Sequence, residues 1–257
     1  MNVNGICVPD PIEALAPGEA HLWYAWTERS CTPARLALYQ SLLVDEEIAR
    51  MERFRFDHLK QEYLLTRALC RLTLSRYVDV PPKAWRFGAN EFGRPQIVAP
   101  LAFESLRFNL SNVPSLAACL VARDIEAGVD VEETDRSEEV LDLVDRYFSE
   151  SELLALRALP QSRQRRRFFE LWTLKESYIK ARGMGLSIPL EQFSFELEQA
   201  APIRIGFSSV LLDVASDWQF QLIEPSNHHL MAVSLRRGDG PDFRIKVTET
   251  IPGYDAA

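Results

Sequence analysis

Asp130 and Glu132 stand two residues apart in the stretch GVDVEE, and Glu176 and Lys180 stand four apart in WTLKESYIKAR. Three carboxylates and an ammonium are the groups that hold a divalent cation and neutralise a phosphate. In an extended strand side chains alternate, so Val129 and Val131 share one face while Asp130 and Glu132 share the other, about 7 Å apart along the backbone. Carboxylates at that spacing can converge on one hard cation; Mg²⁺ takes one or two of them with waters and substrate phosphate oxygens. The plainer reading is a half-buried strand whose acidic face meets solvent.

The helical segment sharpens the choice. At 100° per residue, Phe168, Phe169, Trp172 and Ile179 fall in one apolar arc, and Glu176 lies inside it with Lys180 one turn further on. A carboxylate facing a core is unfavourable unless something pairs with it, and a cation shared with Asp130 and Glu132 would do so. The competing reading is an i,i+4 surface pair of Glu176 with Lys180, worth tenths of a kcal/mol.

Other cations add to the pattern. Lys175 sits near the edge of the arc, either covering apolar surface with its stem or meeting a phosphate. Arg67 and Arg71, four apart on a helix, either clamp a phosphate or form a solvated stripe. In FGRPQ, Arg94 stands between flexible Gly93 and rigid Pro95, a loop able to bring backbone close to a ligand.

These residues need elements to hold them. AHLWYAW reads as a strand, followed by a polar, Pro-containing connection. SLLVDEEIARMERF and EYLLTRALCRLTLSRY read as two helices, and WRFGANEFGRPQIV as a hairpin with Gly93 at its bend. LRFNLS, SLAACLVARD and AGVDVEE read as strands. Helices follow in EEVLDLVDRYF, SESELLALRAL and RRRFFELWTLKESYIKAR, the last ending at Gly183 in the C-cap position. FSFEL, IRIGFSS, WQFQLIE and HHLMAVSLRR predict an antiparallel sheet, and the tail beyond Gly238 reads as a loose wrap. A long helix beside strands occurs twice, so the expected fold is α+β, two similar α+β halves divided as 1–124 and 125–257.

Composition sets the limits. With 257 residues, 47% hydrophobic and 26% charged, the chain has ample material for a buried core. A net charge of −8 opposes nucleic-acid and anionic-membrane partners. Cys7, Cys31, Cys70 and Cys119 are scattered without metal-ligand spacing, and no secretory or spanning segment is evident. Reduced thiols and a cytoplasmic location are the expectation.

Taken in order, FGRPQI, FNLSN, GVDVEE and WTLKESYIKARGMGLSIPL resemble the Sfp-type 4'-phosphopantetheinyl transferases, from about Arg53 to Phe195. The resemblance implies a pseudo-dimer of two α+β halves and transfer of 4'-phosphopantetheine from coenzyme A to a serine of an apo acyl or peptidyl carrier protein. It implies Mg²⁺ on Asp130, Glu132 and Glu176, with Glu176 accepting the serine proton. Lys180 would neutralise or protonate the departing adenosine 3',5'-bisphosphate. Arg67, Gly93, Arg94, Pro95, Ser111, Asn112 and Lys175 would contact coenzyme A, and two fused halves imply a monomer.

Two positions depart from the pattern. Asn112 stands where the family has His, which removes a charge facing a coenzyme A phosphate. Arg94 stands where Lys is common, which keeps the charge and adds a forked donor geometry. A Mg²⁺-dependent nuclease is the rival enzyme class, but its basic face would have to come from Arg163, Arg165, Arg166 and Arg167 alone. A carrier-binding module without catalysis is the rival of another class, disfavoured by the complete set of carboxylates and Lys180.

Overall fold

The computed structural model describes residues 14–135, 144–198 and 201–254. In chain order the elements are β1 (Glu19–Trp26), α1 (Thr27–Ser30), α2 (Pro33–Leu42), α3 (Asp45–Glu52), α4 (Asp57–Leu74), β2 (Arg86–Ala89), β3 (Pro95–Ala99), β4 (Leu106–Val113), β5 (Leu116–Arg123) and β6 (Ala127–Glu133). There follow α5 (Val144–Tyr147), α6 (Glu150–Arg157), α7 (Gln161–Arg182), β7 (Phe193–Glu196), β8 (Arg204–Phe207), β9 (Trp218–Ser226), β10 (His229–Arg236) and β11 (Arg244–Glu249). The fold is α+β, and it divides into two compact units: residues 1–88, 95–124 and 244–257, and residues 89–94 and 125–243.

Unit 1 lays α4 on a sheet of order β11-β1-β5-β4. Leu65, Leu69 and Cys70 of α4 pack with Trp23, Cys119 and Val121 of the strands to make its core. Pro33, at the first helical position after Thr32, starts α2 where a mere connection was expected; Pro is suited there because its missing N–H would have no partner anyway. The next predicted helix begins later than its apolar spacing suggests. Val44 is extended, and three acidic residues, Asp45 to Glu47, form the favourable first turn of α3.

The tail after Gly238 is not a loose wrap. Its strand β11 pairs in parallel with β1, Glu19 opposite Arg244 and Leu22 opposite Val247, which returns the chain to unit 1. Its burial is slight, so periodicity gave little to read.

Unit 2 lays α7 against a sheet of order β6-β10-β9, with β7 and β8 forming a hairpin beside it. Phe168, Phe169, Leu174 and Tyr178 of α7 enter a core with Phe193, Trp218 and Leu230. The helix ends as its sequence predicts: Gly183 takes φ 65°, a left-handed conformation, and its N–H closes on the Ile179 carbonyl. Most of the helix predicted in EEVLDLVDRYF lies outside the described residues; within them, Val144–Tyr147 is helical.

Candidate functional site

Strand β6 is covered on both faces. Asp130 is 5% exposed and Glu132 8%, while Val129 and Val131 on the other face are buried as well. The expected alternative of an acidic face in solvent is therefore wrong. Across β10, Ala232 lies opposite Asp130 and Leu230 opposite Glu132, both members of the unit 2 core, so the carboxylates stand on the core side of the sheet beneath α7.

Gly128 explains how a helix comes so close. A Cβ there would lie 2.1 Å from the Ser177 carbonyl oxygen and 2.4 Å from the Ala181 nitrogen, backbone atoms that no rotamer change can move. Only glycine admits this approach. Ser177 then meets Ser234, hydroxyl to hydroxyl at 2.7 Å, and locks the helix across β10.

The helix side that faces β6 is a stripe. Trp172, Glu176 and Lys180, spaced four apart, are half-buried on a helix otherwise largely buried around them. Trp172 donates from Nε1 to Oε1 of Glu132 at 2.8 Å, and Lys180 donates from Nζ to Oδ1 of Asp130 at 2.7 Å. Glu176 lies on the helix between these two ties. Two turns before Trp172, Arg165 donates to the carbonyl of Thr134 at 3.0 Å and extends the seam past the strand's end.

Burial pushes the Glu176 carboxyl pKa up, Asp130 pushes it in the same direction, and Lys180 only partly opposes them. Each effect penalises a second negative charge in a place short of water. Such a group is poised to hold a proton or to welcome a cation. Among the described residues no three His, Cys, Asp or Glu side chains lie close enough together to hold a metal ion as they stand. The donor set nevertheless fits a hard cation in kind, being all carboxylate, with Glu176 and Asp130 near enough to repel.

The other predicted residues have varied surroundings. Lys175, expected beside a phosphate, is instead fully buried. Its three ammonium hydrogens are taken by Glu152 at 2.8 Å, the Leu190 carbonyl at 2.8 Å and the Phe193 carbonyl at 2.6 Å. Burial lowers its pKa and Glu152 partly restores it. The error arose because the apolar arc was drawn too narrow; Leu171, Leu174 and Tyr178 beyond its edge are buried too.

Arg67 and Arg71 clamp a carboxylate of the chain itself. Arg67 donates from Nε to Oε1 of Glu47 at 2.8 Å, and Arg71, fully buried, donates from Nη2 to Oε2 at 2.7 Å and onward to the Pro82 and Trp85 carbonyls. Gly93 takes φ 88° in the turn between β2 and β3, and Pro95 opens β3. Arg94 donates to the Ala181 carbonyl at 2.7 Å and the Ala127 carbonyl at 3.2 Å, joining the end of α7 to the start of β6. On β4, Ser111 is buried and Asn112 exposed, with Asn112 Nδ2 3.5 Å from Glu62.

Of the four arginines of a nuclease reading, three are engaged within the chain. Arg166 and Arg167 both pair with Glu170, Arg166 also with Glu224, and Arg165 with Thr134. They do not form a basic track.

Three residues were missed as functional neighbours: Trp172, taken as a core ring, and Glu47 and Gly128, neither of them singled out. Only Gly128 had a visible signal, a glycine inside a strand pattern, which marks close approach of another backbone.

Residues 126–234 match the model of the 4'-phosphopantetheinyl transferase superfamily. The chain is 29% identical over 225 residues to the 4'-phosphopantetheinyl transferase HetI of Nostoc sp., covering 88% of this chain and 91% of that protein. It is 30% identical over 205 residues to the 4'-phosphopantetheinyl transferase Sfp of Bacillus subtilis, covering 79% and 87% respectively. It is 32% identical over 151 residues to the 4'-phosphopantetheinyl transferase gsp of Aneurinibacillus migulanus, covering 58% and 60%.

Proposed function

Since the chain belongs to the 4'-phosphopantetheinyl transferase superfamily and is a transferase of phosphopantetheine to carrier proteins, we propose that coenzyme A is its donor and that the seam of β6 and α7 carries the chemistry. The observation that bears most weight is Glu176, a half-buried carboxylate with raised pKa between the ties to Asp130 and Glu132.

Asp130, Glu132 and Glu176 would hold Mg²⁺, which when bound supplies charge neutralisation at the pyrophosphate. The carrier serine oxygen bonds to the pantetheine-side phosphorus, and the bond from that phosphorus to the bridging oxygen breaks. Adenosine 3',5'-bisphosphate leaves with the bridging oxygen. Glu176 accepts the serine proton, as a carboxylate of raised pKa is suited to do. Lys180, 28% exposed and anchored on Asp130, neutralises the departing phosphate.

Contacts to coenzyme A are assigned to Arg67, to Ser111 and Asn112, and to the backbone of the loop Gly93, Arg94 and Pro95. Arg67 has five donors, and Glu47 takes only some of them. Asn112 offers an uncharged amide to a phosphate. The same reading has the protein acting as a monomer in the cytoplasm, on coenzyme A and a carrier rather than on nucleic acid or a membrane, in keeping with its net charge of −8. No described helix is long and apolar enough to cross a membrane.

The test is incubation with coenzyme A, Mg²⁺ and a panel of apo acyl and peptidyl carrier proteins, read by intact mass. A gain of one phosphopantetheine on a carrier, absent without Mg²⁺, is expected. Coenzyme A binding with no gain on any carrier would instead favour a non-catalytic module.

A further inference from the structure

The last turn of α7 carries Lys180, and Ala181 follows it directly. The final carbonyls of a helix have no partner within it. Two of them are met by the turn between β2 and β3, whose residues 89–94 belong to unit 2. Arg94 donates from Nη1 to the Ala181 carbonyl at 2.7 Å, and Asn90 donates from Nδ2 to the Gly183 carbonyl at 2.7 Å. A guanidinium at a helix C-terminus also meets the negative end of the helix dipole.

The turn is itself braced. Asn90 Oδ1 accepts the N–H of Phe92 at 3.0 Å and that of Arg94 at 2.8 Å, so one side-chain amide holds both the turn and the helix end. The Arg94 stem lies on Gly183, where a Cβ would come within 2.5 Å of Arg94 Cδ. From that footing the other terminal nitrogen, Nη2, donates to the Ala127 carbonyl at 3.2 Å. The two carbonyls bracket the close approach of α7 to β6, since Ala127 precedes Gly128 and a Cβ on Gly128 would lie 2.4 Å from the Ala181 nitrogen.

We propose that Arg94 is a positioning residue for Lys180. Its fork spans the carbonyls of Ala127 and Ala181 and so sets the distance between the last turn of α7 and the first residues of β6. Lys180 stands on that turn, with Nζ 2.7 Å from Asp130 Oδ1. The inference rests on the reading of Lys180 given above, as the group that neutralises the departing phosphate. It separates two roles open to the side chain of Arg94, meeting a coenzyme A phosphate and aligning the chain's own helix.

Two substitutions part charge from fork. Arg94→Lys keeps the charge and loses the fork, whereas Arg94→Gln loses both. Transfer from coenzyme A to an apo carrier protein that the wild-type enzyme converts gives kcat and the KM for coenzyme A, and melting curves report folding. Both variants are expected to lower kcat roughly 10-fold or more, as small displacements of a working group do, at an unchanged KM for coenzyme A. Wild-type kcat in Arg94→Lys would overturn the proposal. So would a KM raised in Arg94→Gln and restored in Arg94→Lys, the mark of a phosphate contact.

A double-mutant cycle shows whether the effect passes through Lys180. In a Lys180→Ala background, Arg94→Lys is expected to cost far less than it does alone, because groups that act as a unit are not additive. An equal loss in both backgrounds would mark a general effect on the fold and overturn the proposal. Lys180→Ala at the wild-type rate is a distinct result, which removes the reading of Lys180 and the proposal with it. Should the Arg94 variants fail to fold, Asn90→Ala carries the same cycle, since it leaves the guanidinium in place and takes away its brace.

Discussion

Lys180 Nζ stands 2.7 Å from Asp130 Oδ1, so strand β6 and helix α7 are joined by an ion pair beside the carboxyl of Glu176. The pair matters because Lys180 is a cation set against two influences that raise the Glu176 pKa, burial and Asp130. Its attraction is outweighed, and Glu176 is left with a raised pKa.

That direction has a sign in stability. A carboxyl whose pKa is raised on folding binds its proton more tightly in the folded state, so its contribution is fully present below the unfolded value near 4.5 and is lost as pH rises through the folded pKa. Without divalent cations, Glu176→Gln is expected to raise the melting temperature at pH 7 by a few degrees and to change it little at pH 4. Equal melting of the two proteins at pH 7 in EDTA would show that the carboxylate carries no such penalty.

Gly128→Ala is expected to lift α7 from β6, because its methyl would meet the Ser177 carbonyl and the Ala181 nitrogen. Overpacking of this kind costs about 1–3 kcal/mol, more where backbone is struck. Urea denaturation measures the loss, and the lifted helix should weaken transfer as well. Unchanged stability would mean that the helix backbone gives way freely.

Lys175→Met is expected to act on stability and not on coenzyme A. Removing the ammonium leaves Glu152 buried without its counter-ion, a loss of about 3–5 kcal/mol, although the N–H of Phe195 still meets Glu152 at 2.9 Å. Denaturation and the KM for coenzyme A are measured together. A raised KM with full stability would restore Lys175 to the phosphate contacts.

Much of this was open to a reader of the sequence, for reasons that differ by element. Strand alternation placed Asp130 and Glu132 on one face, and helical spacing placed Glu176 with Lys180; both are local geometry. Gly183 ended α7 because a left-handed residue there is a backbone requirement. What escaped depended on partners distant in sequence. Lys175 looked like a cation for a ligand until Glu152, 23 positions earlier, and two carbonyls sealed it. Arg67 and Arg71 read as a phosphate clamp or a solvated stripe, and the sequence did not show that Glu47 of the preceding helix takes donors from both. Strand β11 escaped because its faces are mostly exposed and its partner β1 lies at the other end of the chain.

The most direct measurement is the rate at which Glu176→Gln converts an apo carrier protein to the holo form with coenzyme A and Mg²⁺, followed by intact mass. Because glutamine keeps the size of the side chain and removes its charge, the variant should be folded and yet at least about 100-fold slower, the loss expected when a general base is removed. A folded Glu176→Gln variant that turns over carrier at the wild-type rate would contradict the assignment of the β6 and α7 seam as the site of transfer.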